Sequence, residues 1–280
     1  MRTFPFQKYE GLGNDFIVVD LLTDELKQQE NRVIADWQRT TTKLCHRRLG
    51  IGGDGILLIL PSSHDGANAK MIVLNNDGSR PEMCGNGLRC VAHDLKARHF
   101  NDRNALRIET DAGIRHCQFE QFSESTAEIH VNMGSAQSHG EYESKHAPGR
   151  RFINVSMGNP HAVCFVDSTE DPQSLARSLG PLVEVDSGYP DRTNVEFAKC
   201  GDQHIELWVW ERGCGITEAC GTGACATAVA AMWTKRIQRE RSHVIKLPGG
   251  QLKISFGSSS NLEVFMTGPS RKVFDGVLKI

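Results

Sequence analysis

Short runs of β-branched and other apolar residues recur along the chain and predict strands. They lie at residues 16–20, 56–60, 70–75, 127–132, 162–167, 204–210, 243–247 and 262–266. Gly, Asn and Asp residues between these runs predict tight turns, which favour mostly antiparallel pairing. The pattern therefore indicates a chain that is rich in β-structure.

Fewer segments show the periodicity of a helix, and they differ in how polar they are. Residues 31–48 carry an apolar stripe and residues 87–99 repeat apolar positions at helical spacing. A third helix begins at Asp171-Pro172, where an N-cap residue precedes a proline at the first helical position. Residues 223–236 have no polar face before Lys235, so this helix should be buried inside a curved sheet. Because strands outnumber helices, we predict an α+β fold.

Two motifs occur twice, which indicates a duplicated domain. Gly13-Asn14-Asp15 precedes one predicted strand, and Gly158-Asn159-Pro160-His161 precedes another. Later in each half, Cys84-Gly85-Asn86-Gly87 is matched by Cys220-Gly221-Thr222-Gly223. A repeat distance of about 140 residues is too long for a solenoid. We predict homologous halves, residues 1–128 and residues 129–269.

The composition of the chain gives no support for a nucleic-acid-binding, membrane or secreted protein. The chain has 280 residues with 34 acidic and 32 basic side chains, so bulk electrostatics give no argument for nucleic-acid or membrane binding. No apolar run approaches the roughly 20 residues of a membrane span, and the N-terminus has no secretory pattern. Nine cysteines in such a chain suggest reduced thiols, so we expect a cytoplasmic protein.

Each Cys-Gly-x-Gly motif stands directly before a predicted apolar helix. A helix N-terminus offers unpaired N–H groups and a partial positive charge, and both favour a thiolate. The glycines let an anionic ligand approach the bare amides. Two such motifs in a duplicated chain suggest that Cys84 and Cys220 face each other across a cleft between the halves.

Other interpretations of the cysteines and glycines are open but weaker. Zinc binding and a redox dithiol are both disfavoured because the chain has no Cys-x-x-Cys pair. Residues 50–55 are glycine-rich but lack the spacing of a dinucleotide fingerprint, and no lysine has the context of a pyridoxal phosphate site. We therefore expect neither a metal nor an organic cofactor. Seven cysteines are interpreted as small buried hydrophobic residues: Cys45, Cys90, Cys117, Cys164, Cys200, Cys214 and Cys225.

Several polar residues near these motifs suit a zwitterionic ligand, although each has a simpler explanation. Four asparagines lie at turns or strand ends, where they commonly serve the turn itself: Asn14, Asn75, Asn159 and Asn194. Glu211-Arg212 is either an exposed ion pair or a site whose guanidinium binds a carboxylate. His161 is either a structural histidine or a group that handles protons near the thiols.

Taken together, the motifs resemble those of the diaminopimelate epimerases, a family of cofactor-independent amino-acid epimerases. The similar segments are residues 8–16, 75–79, 83–90, 155–161, 192–197, 211–213, 219–225, 247–250 and 266–269. The resemblance implies two pseudo-symmetric α/β halves, each a curved sheet or barrel around a central helix, with residues 270–280 returning to the first half. It also implies interconversion of LL- and meso-diaminopimelate, in lysine and peptidoglycan-precursor biosynthesis.

The resemblance further implies roles for individual residues. Cys84 and Cys220 would be the two acid–base groups, and His161 and Glu211 would assist at the reacting carbon. The reacting carboxylate would be held by Gly85, Asn86, Gly221 and Thr222. The distal end of the substrate would be held by Asn14, Asn75, Asn159, Asn194 and Arg212.

Three positions depart from the family pattern and leave other substrates open. Glu10 stands where the family usually has His, Gly55 where many members have Gln, and Ile216 where the motif has Glu. A proline or histidine racemase is the nearest alternative, although Asn86 differs from the His of proline racemases. A catalytically silent amino-acid-binding module is the alternative from another class. The expected partner is the small-molecule substrate diaminopimelate, with a homodimer as a candidate assembly.

Overall fold

The computed structural model describes residues 3–23, 30–258 and 261–279, which form sixteen strands and four helices. The first eight strands are β1 (Thr3–Gly11), β2 (Asn14–Asp20), β3 (Gly55–Leu60), β4 (Ala69–Asn75), β5 (Ala105–Thr110), β6 (Gly113–Phe122), β7 (Thr126–Ser135) and β8 (Gln137–Glu143). The others are β9 (Arg151–Ser156), β10 (Pro160–Phe165), β11 (Asn194–Cys200), β12 (Ile205–Glu211), β13 (Gly215–Ile216), β14 (His243–Leu247), β15 (Gly250–Phe256) and β16 (Glu263–Lys279). The helices are α1 (Glu30–Cys45), α2 (Gly85–Arg98), α3 (Pro172–Glu184) and α4 (Gly221–Trp233). No described helix is both long enough and apolar enough to cross a membrane.

The chain divides into two compact units. Unit 1 comprises Met1–Val131 together with Gly268–Ile280, and unit 2 comprises Asn132–Thr267. Strand β16 begins in unit 2 and ends in unit 1, where it pairs antiparallel with β1. The C-terminal strand is therefore part of the sheet that the N-terminal strand begins.

Unit 1 is a closed barrel around one helix. Its strands follow the order β1-β2-β3-β4-β5-β6-β7, and β16 closes the ring because it pairs with both β7 and β1. Helix α2 packs against β1, β2, β3, β4 and β6, and its residues 85–96 are all buried. A buried helix inside a curved sheet fits the predicted architecture.

Unit 2 has strand order β16-β15-β14-β12-β11-β10-β9-β8, with β13 added to β12. Helix α4 packs against β9, β10, β11, β12, β14 and β15. Residues 223–231 of α4 are fully or almost fully buried, which confirms the prediction from its missing polar face.

Both units repeat one pairing pattern. In unit 1 the successive pairs from β1 to β7 are antiparallel, parallel, antiparallel, parallel, antiparallel and antiparallel. The pairs β9-β10-β11-β12-β14-β15-β16 follow the same sequence. The helices occur at matching places in the two series. Helices α1 and α3 precede the third strand of their series, β3 and β11, and helices α2 and α4 precede the fifth, β5 and β14. The predicted α+β, pseudo-symmetric and mostly antiparallel fold is confirmed.

Some local predictions were wrong. Helix α1 ends at Cys45, and the residues up to Gly50 form a turn in which Gly50 N–H binds the His46 carbonyl at 2.8 Å. The exposed side chains of Cys200 and Cys214 contradict the expectation that both are buried. Eight strands were not predicted from the sequence: β1, β5, β6, β8, β9, β11, β13 and β15.

Candidate active site

Cys84 is the N-cap residue of α2. Its backbone is extended (φ −138°, ψ 112°), and its Sγ accepts the N–H of Gly87 at 3.4 Å. The first turn of α2 contains no acidic side chain, so the partial positive charge of the helix is not offset there. The half-buried sulfur therefore lies where a thiolate is favoured.

Cys220 occupies the same position at α4. Its backbone is extended (φ −115°, ψ 106°), and its Sγ accepts the N–H of Gly223 at 3.4 Å and lies 3.6 Å from Thr222 Oγ1. Burial raises the pKa of the Cys220 thiol well above its usual value, and the carboxyl groups of Glu211 and Glu196 raise it further. The hydrogen bonds from Thr222 and Gly223 lower it. The balance of these effects favours the protonated thiol at Cys220.

The second glycine of each motif lies against a strand and beside the sulfur. A Cβ on Gly87 would come 2.9 Å from Leu57 Cδ2 and 3.5 Å from Cys84 Sγ. A Cβ on Gly223 would come 3.0 Å from Glu196 Oε1 and 3.2 Å from Cys220 Sγ. A side chain at either position would therefore have to displace a neighbouring side chain and would crowd the sulfur.

Glu211 lies beside Cys220 at the end of β12. Strand β13 pairs Gly215 with Glu211, and this brings the Thr217 hydroxyl to donate to Glu211 Oε1. Burial raises the pKa of Glu211, against the opposing effects of Thr217, Cys220 and His161. A carboxyl group in its protonated form next to a thiol can exchange a proton with it.

His161 is buried on β10 and makes two side-chain contacts. Its Nδ1 lies 2.6 Å from Glu196 Oε1, and its Nε2 lies 3.0 Å from Asn159 Oδ1. Both side chains of the His161–Glu196 pair are fully buried, and burial raises the pKa of Glu196 against the opposing effect of His161. Sequence reasoning missed Glu196. The available signal was an acidic residue inside an otherwise apolar strand, because Glu is almost never fully buried unless it is paired.

Two of the predicted asparagines in unit 2 differ in what they contact. Asn159 Nδ2 lies 3.4 Å from Thr222 Oγ1, so Asn159 bridges His161 and Thr222. Asn194 Nδ2 donates to the Pro160 carbonyl at 2.7 Å, and its Oδ1 accepts the Arg212 N–H at 3.0 Å. Asn159 thus lies with the group around Cys220, whereas Asn194 fixes the backbone that carries Arg212.

Arg212 presents its side chain to solvent just after β12. Its Nη1 donates to the Asp191 carbonyl at 3.2 Å. The backbone N–H of the next residue, Gly213, donates to Glu184 Oε1 at 2.9 Å. This leaves most of the guanidinium edge accessible to an anionic group.

In unit 1, Asn14 and Asn86 are held together near Cys84. Asn14 Nδ2 donates to Asp54 Oδ2 at 2.7 Å, and Asn86 Nδ2 lies 3.4 Å from Asn14 Oδ1. The fully buried Arg89 donates from Nη2 to Asn86 Oδ1 at 3.0 Å, and from Nε to the Pro269 carbonyl at 2.9 Å. Arg89 was not predicted, although it stands within the first cysteine motif. Arg89 therefore fixes the side-chain amide of Asn86, the residue that follows Gly85.

Asn75 lies at the end of β4, where its Nδ2 donates to Ser79 Oγ at 2.9 Å. This contact is local to the turn that Gly78 closes with φ 85°.

In the described part of the chain, no group of three or more His, Cys, Asp or Glu side chains is placed to hold a metal ion.

The three positions that depart from the family pattern have structural explanations. A Cβ on Gly55 would lie 2.5 Å from the Leu74 carbonyl oxygen, so no side chain fits there without a backbone shift. Glu10 pairs with Arg271 at 2.9 Å and accepts the Gly13 N–H at 3.0 Å. Ile216 packs against the apolar cluster of unit 2.

Solved structures share this fold across almost the whole chain. A hydroxyproline epimerase from Agrobacterium vitis, solved with bound trans-4-hydroxy-L-proline, aligns with a TM-score of 0.74 at 15% identity, over 99% of this chain and 91% of that one. A phenazine biosynthesis protein of the PhzF family from Bacillus anthracis aligns with a TM-score of 0.72 at 15% identity, over all of both chains. At such low identity the likeness defines the class of fold, which epimerases and PhzF-type proteins share.

Sequence comparison is more specific. The family model for diaminopimelate epimerase matches residues 6–139 and 153–273, and the chain belongs to that family. A diaminopimelate epimerase from Desulfitobacterium hafniense is 41% identical over 287 residues, covering 97% of this chain and 96% of that protein. One from Synechocystis is 39% identical and covers 98% and 99%. The predicted enzyme class, an isomerase of this family, is confirmed.

Proposed function

We propose that this chain interconverts LL- and meso-diaminopimelate without a cofactor, with Cys84 and Cys220 as the two acid–base groups. The observation that carries the proposal is that each cysteine caps a helix, with its sulfur accepting the N–H of the second motif glycine at 3.4 Å. Membership of the diaminopimelate epimerase family supports the substrate.

The chemical difficulty is the very weak acidity of an amino-acid α-carbon. Helix N-termini can stabilise the negative charge that develops on the carboxylate as the proton leaves. Gly85 and Asn86 would supply such N–H groups from α2, and Gly221 and Thr222 from α4. Inversion then requires a base on one face of the carbon and an acid on the other, which a thiolate and a thiol provide.

The two sulfurs would have different roles in the substrate-free enzyme. The raised pKa of Cys220 favours its protonated form, so Cys220 would begin as the proton donor and Cys84 as the base. Reaction in the other direction exchanges these roles. Because the pair shares one negative charge, its two titrations are coupled. Glu211 and His161 would support the proton movements at the Cys220 side.

The distal end of diaminopimelate carries a second amino and carboxylate group. Arg212 would bind that carboxylate with its exposed guanidinium, on a backbone fixed by Asn194. Asn14 and Asn75 would bind from unit 1. Asn159 was predicted at the distal end as well, but its contacts with His161 and Thr222 favour a role near the reacting carbon.

The setting of the reaction is also proposed. Diaminopimelate epimerisation would serve lysine and peptidoglycan-precursor biosynthesis in the cytoplasm. A homodimer is proposed as the assembly, and β16 in unit 1 carries three exposed apolar side chains, Val273, Phe274 and Val277.

The test is deuterium incorporation at Cα when LL-diaminopimelate is incubated with the enzyme in D2O. Wild type should incorporate deuterium, whereas Cys84→Ala and Cys220→Ala should each lose roughly 10²–10⁴-fold of the rate while remaining folded. Cys90→Ala and Cys225→Ala remove the other cysteine of each motif, both fully buried, and serve as matched controls that should keep the rate. Exchange of proline but not of diaminopimelate would refute the substrate, and an active Cys220→Ala enzyme would refute the mechanism.

A further inference from the structure

A chain of hydrogen-bonding side chains connects a buried carboxyl group to the Cys220 sulfur. From Glu196 Oε1 the distances are 2.6 Å to His161 Nδ1 and, on the other side of the ring, 3.0 Å from Nε2 to Asn159 Oδ1. They continue as 3.4 Å from Asn159 Nδ2 to Thr222 Oγ1 and 3.6 Å from Thr222 Oγ1 to Cys220 Sγ. All five residues belong to unit 2.

These contacts are satisfied if every group donates toward the sulfur. A protonated Glu196 donates to Nδ1, which leaves the Nε2–H of a neutral His161 for the Asn159 carbonyl oxygen. The Asn159 amide then donates to Thr222, and the Thr222 hydroxyl is left to donate to Cys220. Burial supports the protonated form of Glu196, because its second oxygen, Oε2, is buried without a hydrogen-bond partner among the described residues. A neutral acid tolerates that better than a carboxylate does.

Unit 1 provides an internal comparison. In the parallel pair β2–β3, Phe16 aligns with Gly55 and Val18 with Leu57; in β10–β11, His161 aligns with Asn194 and Val163 with Glu196. Phe16 therefore corresponds to His161, and Leu57 to Glu196. Both residues of unit 1 are buried and apolar, and Leu57 lies against the second motif glycine as Glu196 does in unit 2. The fold accepts an apolar pair at this place, so the polar pair in unit 2 needs a reason other than packing.

We propose that Glu196 is a positioning residue that orients His161, Asn159 and Thr222 so that a hydroxyl donates to the Cys220 sulfur. The donated hydrogen bond stabilises the thiolate that Cys220 becomes after it has given its proton to the substrate carbon, and this step rests on the proposed function. The chain offsets part of the cost of placing a negative charge at a buried sulfur.

Other titratable groups face this chain. Glu211 from β12 lies near both Glu196 and Cys220, and Tyr189 lies near Glu196 with its hydroxyl donating to Asn154 Oδ1 at 2.9 Å. A carboxylate at Glu211 would repel a thiolate at Cys220 and so raise the pKa of Cys220. A neutral hydrogen-bond donor beside the sulfur acts against this repulsion without adding a charge. Variants should therefore be compared at one fixed pH.

The experiment measures how fast iodoacetamide alkylates Cys220, by mass spectrometry of the substrate-free enzyme, alongside epimerisation. Glu196→Leu installs the residue that unit 1 has at the matching position. It should slow alkylation of Cys220 about 10- to 100-fold, since the donor chain loses its fixed end. Alkylation of Cys84 in the same sample should not slow, so it controls for reagent and folding. Glu196→Gln retains an N–H that can donate to His161 Nδ1 and should recover most of the lost rate.

A double-mutant cycle tests whether the residues act as one chain. Thr222→Val removes the last donor, and adding Glu196→Leu to it should cost little more. Thr227→Val is the matched control in the same helix, because its buried hydroxyl has no hydrogen-bond partner among the described residues. It should leave Cys220 alkylation unchanged.

Three results would overturn the proposal. They are an unchanged Cys220 alkylation rate in Glu196→Leu, a Glu196→Gln rate as low as that of Glu196→Leu, and additive losses in the double variant. Alkylation is read without turnover, so these outcomes are distinct from a failure of the proposed function, which an active Cys220→Ala enzyme would reveal.

Discussion

Replacing Asp94 by asparagine should stabilise the protein at neutral pH. Asp94 lies in α2 with a fully buried side chain, and neither carboxyl oxygen has a hydrogen-bond partner among the described residues. Its ion-pair partner is Arg98, one helical turn later, at 3.5 Å. Burial raises the pKa of Asp94 to about 6, and the attraction of Arg98 only partly opposes this.

The sign and size of the effect follow from linkage between proton binding and folding. Between the unfolded pKa of 3.8 and the folded pKa of about 6, the folded state holds a proton that the unfolded state has lost. The stability that this proton provides is fully present below pH 3.8 and is lost as pH rises through 6. The difference between the two pKa values corresponds to about 3 kcal/mol of unfolding free energy at pH 7. Asparagine resembles the protonated acid at every pH.

Urea unfolding of wild type and Asp94→Asn from pH 4 to pH 8 is the assay. The variant should match wild type near pH 4, gain stability relative to it as pH rises, and keep a constant advantage of about 2–3 kcal/mol above pH 7. Asp186→Asn is a control of opposite sign, since hydrogen bonds from Ser144, Gly188 and Tyr142 lower the pKa of that buried carboxyl against the effect of burial. It should lose stability at neutral pH. A pH-independent difference between wild type and Asp94→Asn would refute the reasoning.

Three other predictions concern activity. Arg212→Lys should lower kcat/KM for diaminopimelate about 10- to 150-fold, because the bidentate contact is lost at a cost of roughly 1.5–3 kcal/mol. Cα exchange of lysine, which has no distal carboxylate, should barely change. Equal slowing of both substrates would show that Arg212 acts at the reacting centre instead. Dialysis against a chelator under reducing conditions should leave full activity, and recovery only after added metal would contradict this. Gly223→Ala should lower kcat/KM, since its methyl group would press on Glu196 and Cys220; a variant with wild-type kcat/KM would show that these side chains or the helix start can shift.

The sequence predicted the elements in which one local signal dominates. Helix α4 was predicted to be buried because it has no polar face, and the cysteine motifs were predicted at helix starts, where a side chain on Gly87 or Gly223 would crowd the sulfur. Strand β8 could not be recognised, since its segment Gln137–Glu143 is polar and almost wholly exposed. Its pairing with β9 supplies the order that its composition lacks.

Functional neighbours were harder to predict than functional motifs. Glu196 and His161 are 35 residues apart and meet only because β10 and β11 pair in parallel with a defined register. Asn159 was assigned to the distal end from the resemblance to the family motif, and a motif in a turn does not specify which side chain lies across from it. Arg89 was overlooked because a basic residue in a helix is usually exposed, whereas here three acceptors surround it in the barrel.

The path of β16 has a consequence for how the protein is made. Unit 1 is closed by residues 268–278, yet all of unit 2 is synthesised before them. At about 5–20 residues per second, strands β1–β7 of the barrel remain without β16 for roughly 7–30 s during synthesis, and β1 lacks this neighbour. An unpaired strand edge exposed for that time is a site where nascent chains can associate wrongly. The C-terminal strand thus sets the moment at which the N-terminal unit can finish folding, and its removal should unfold the half of the protein that was made first.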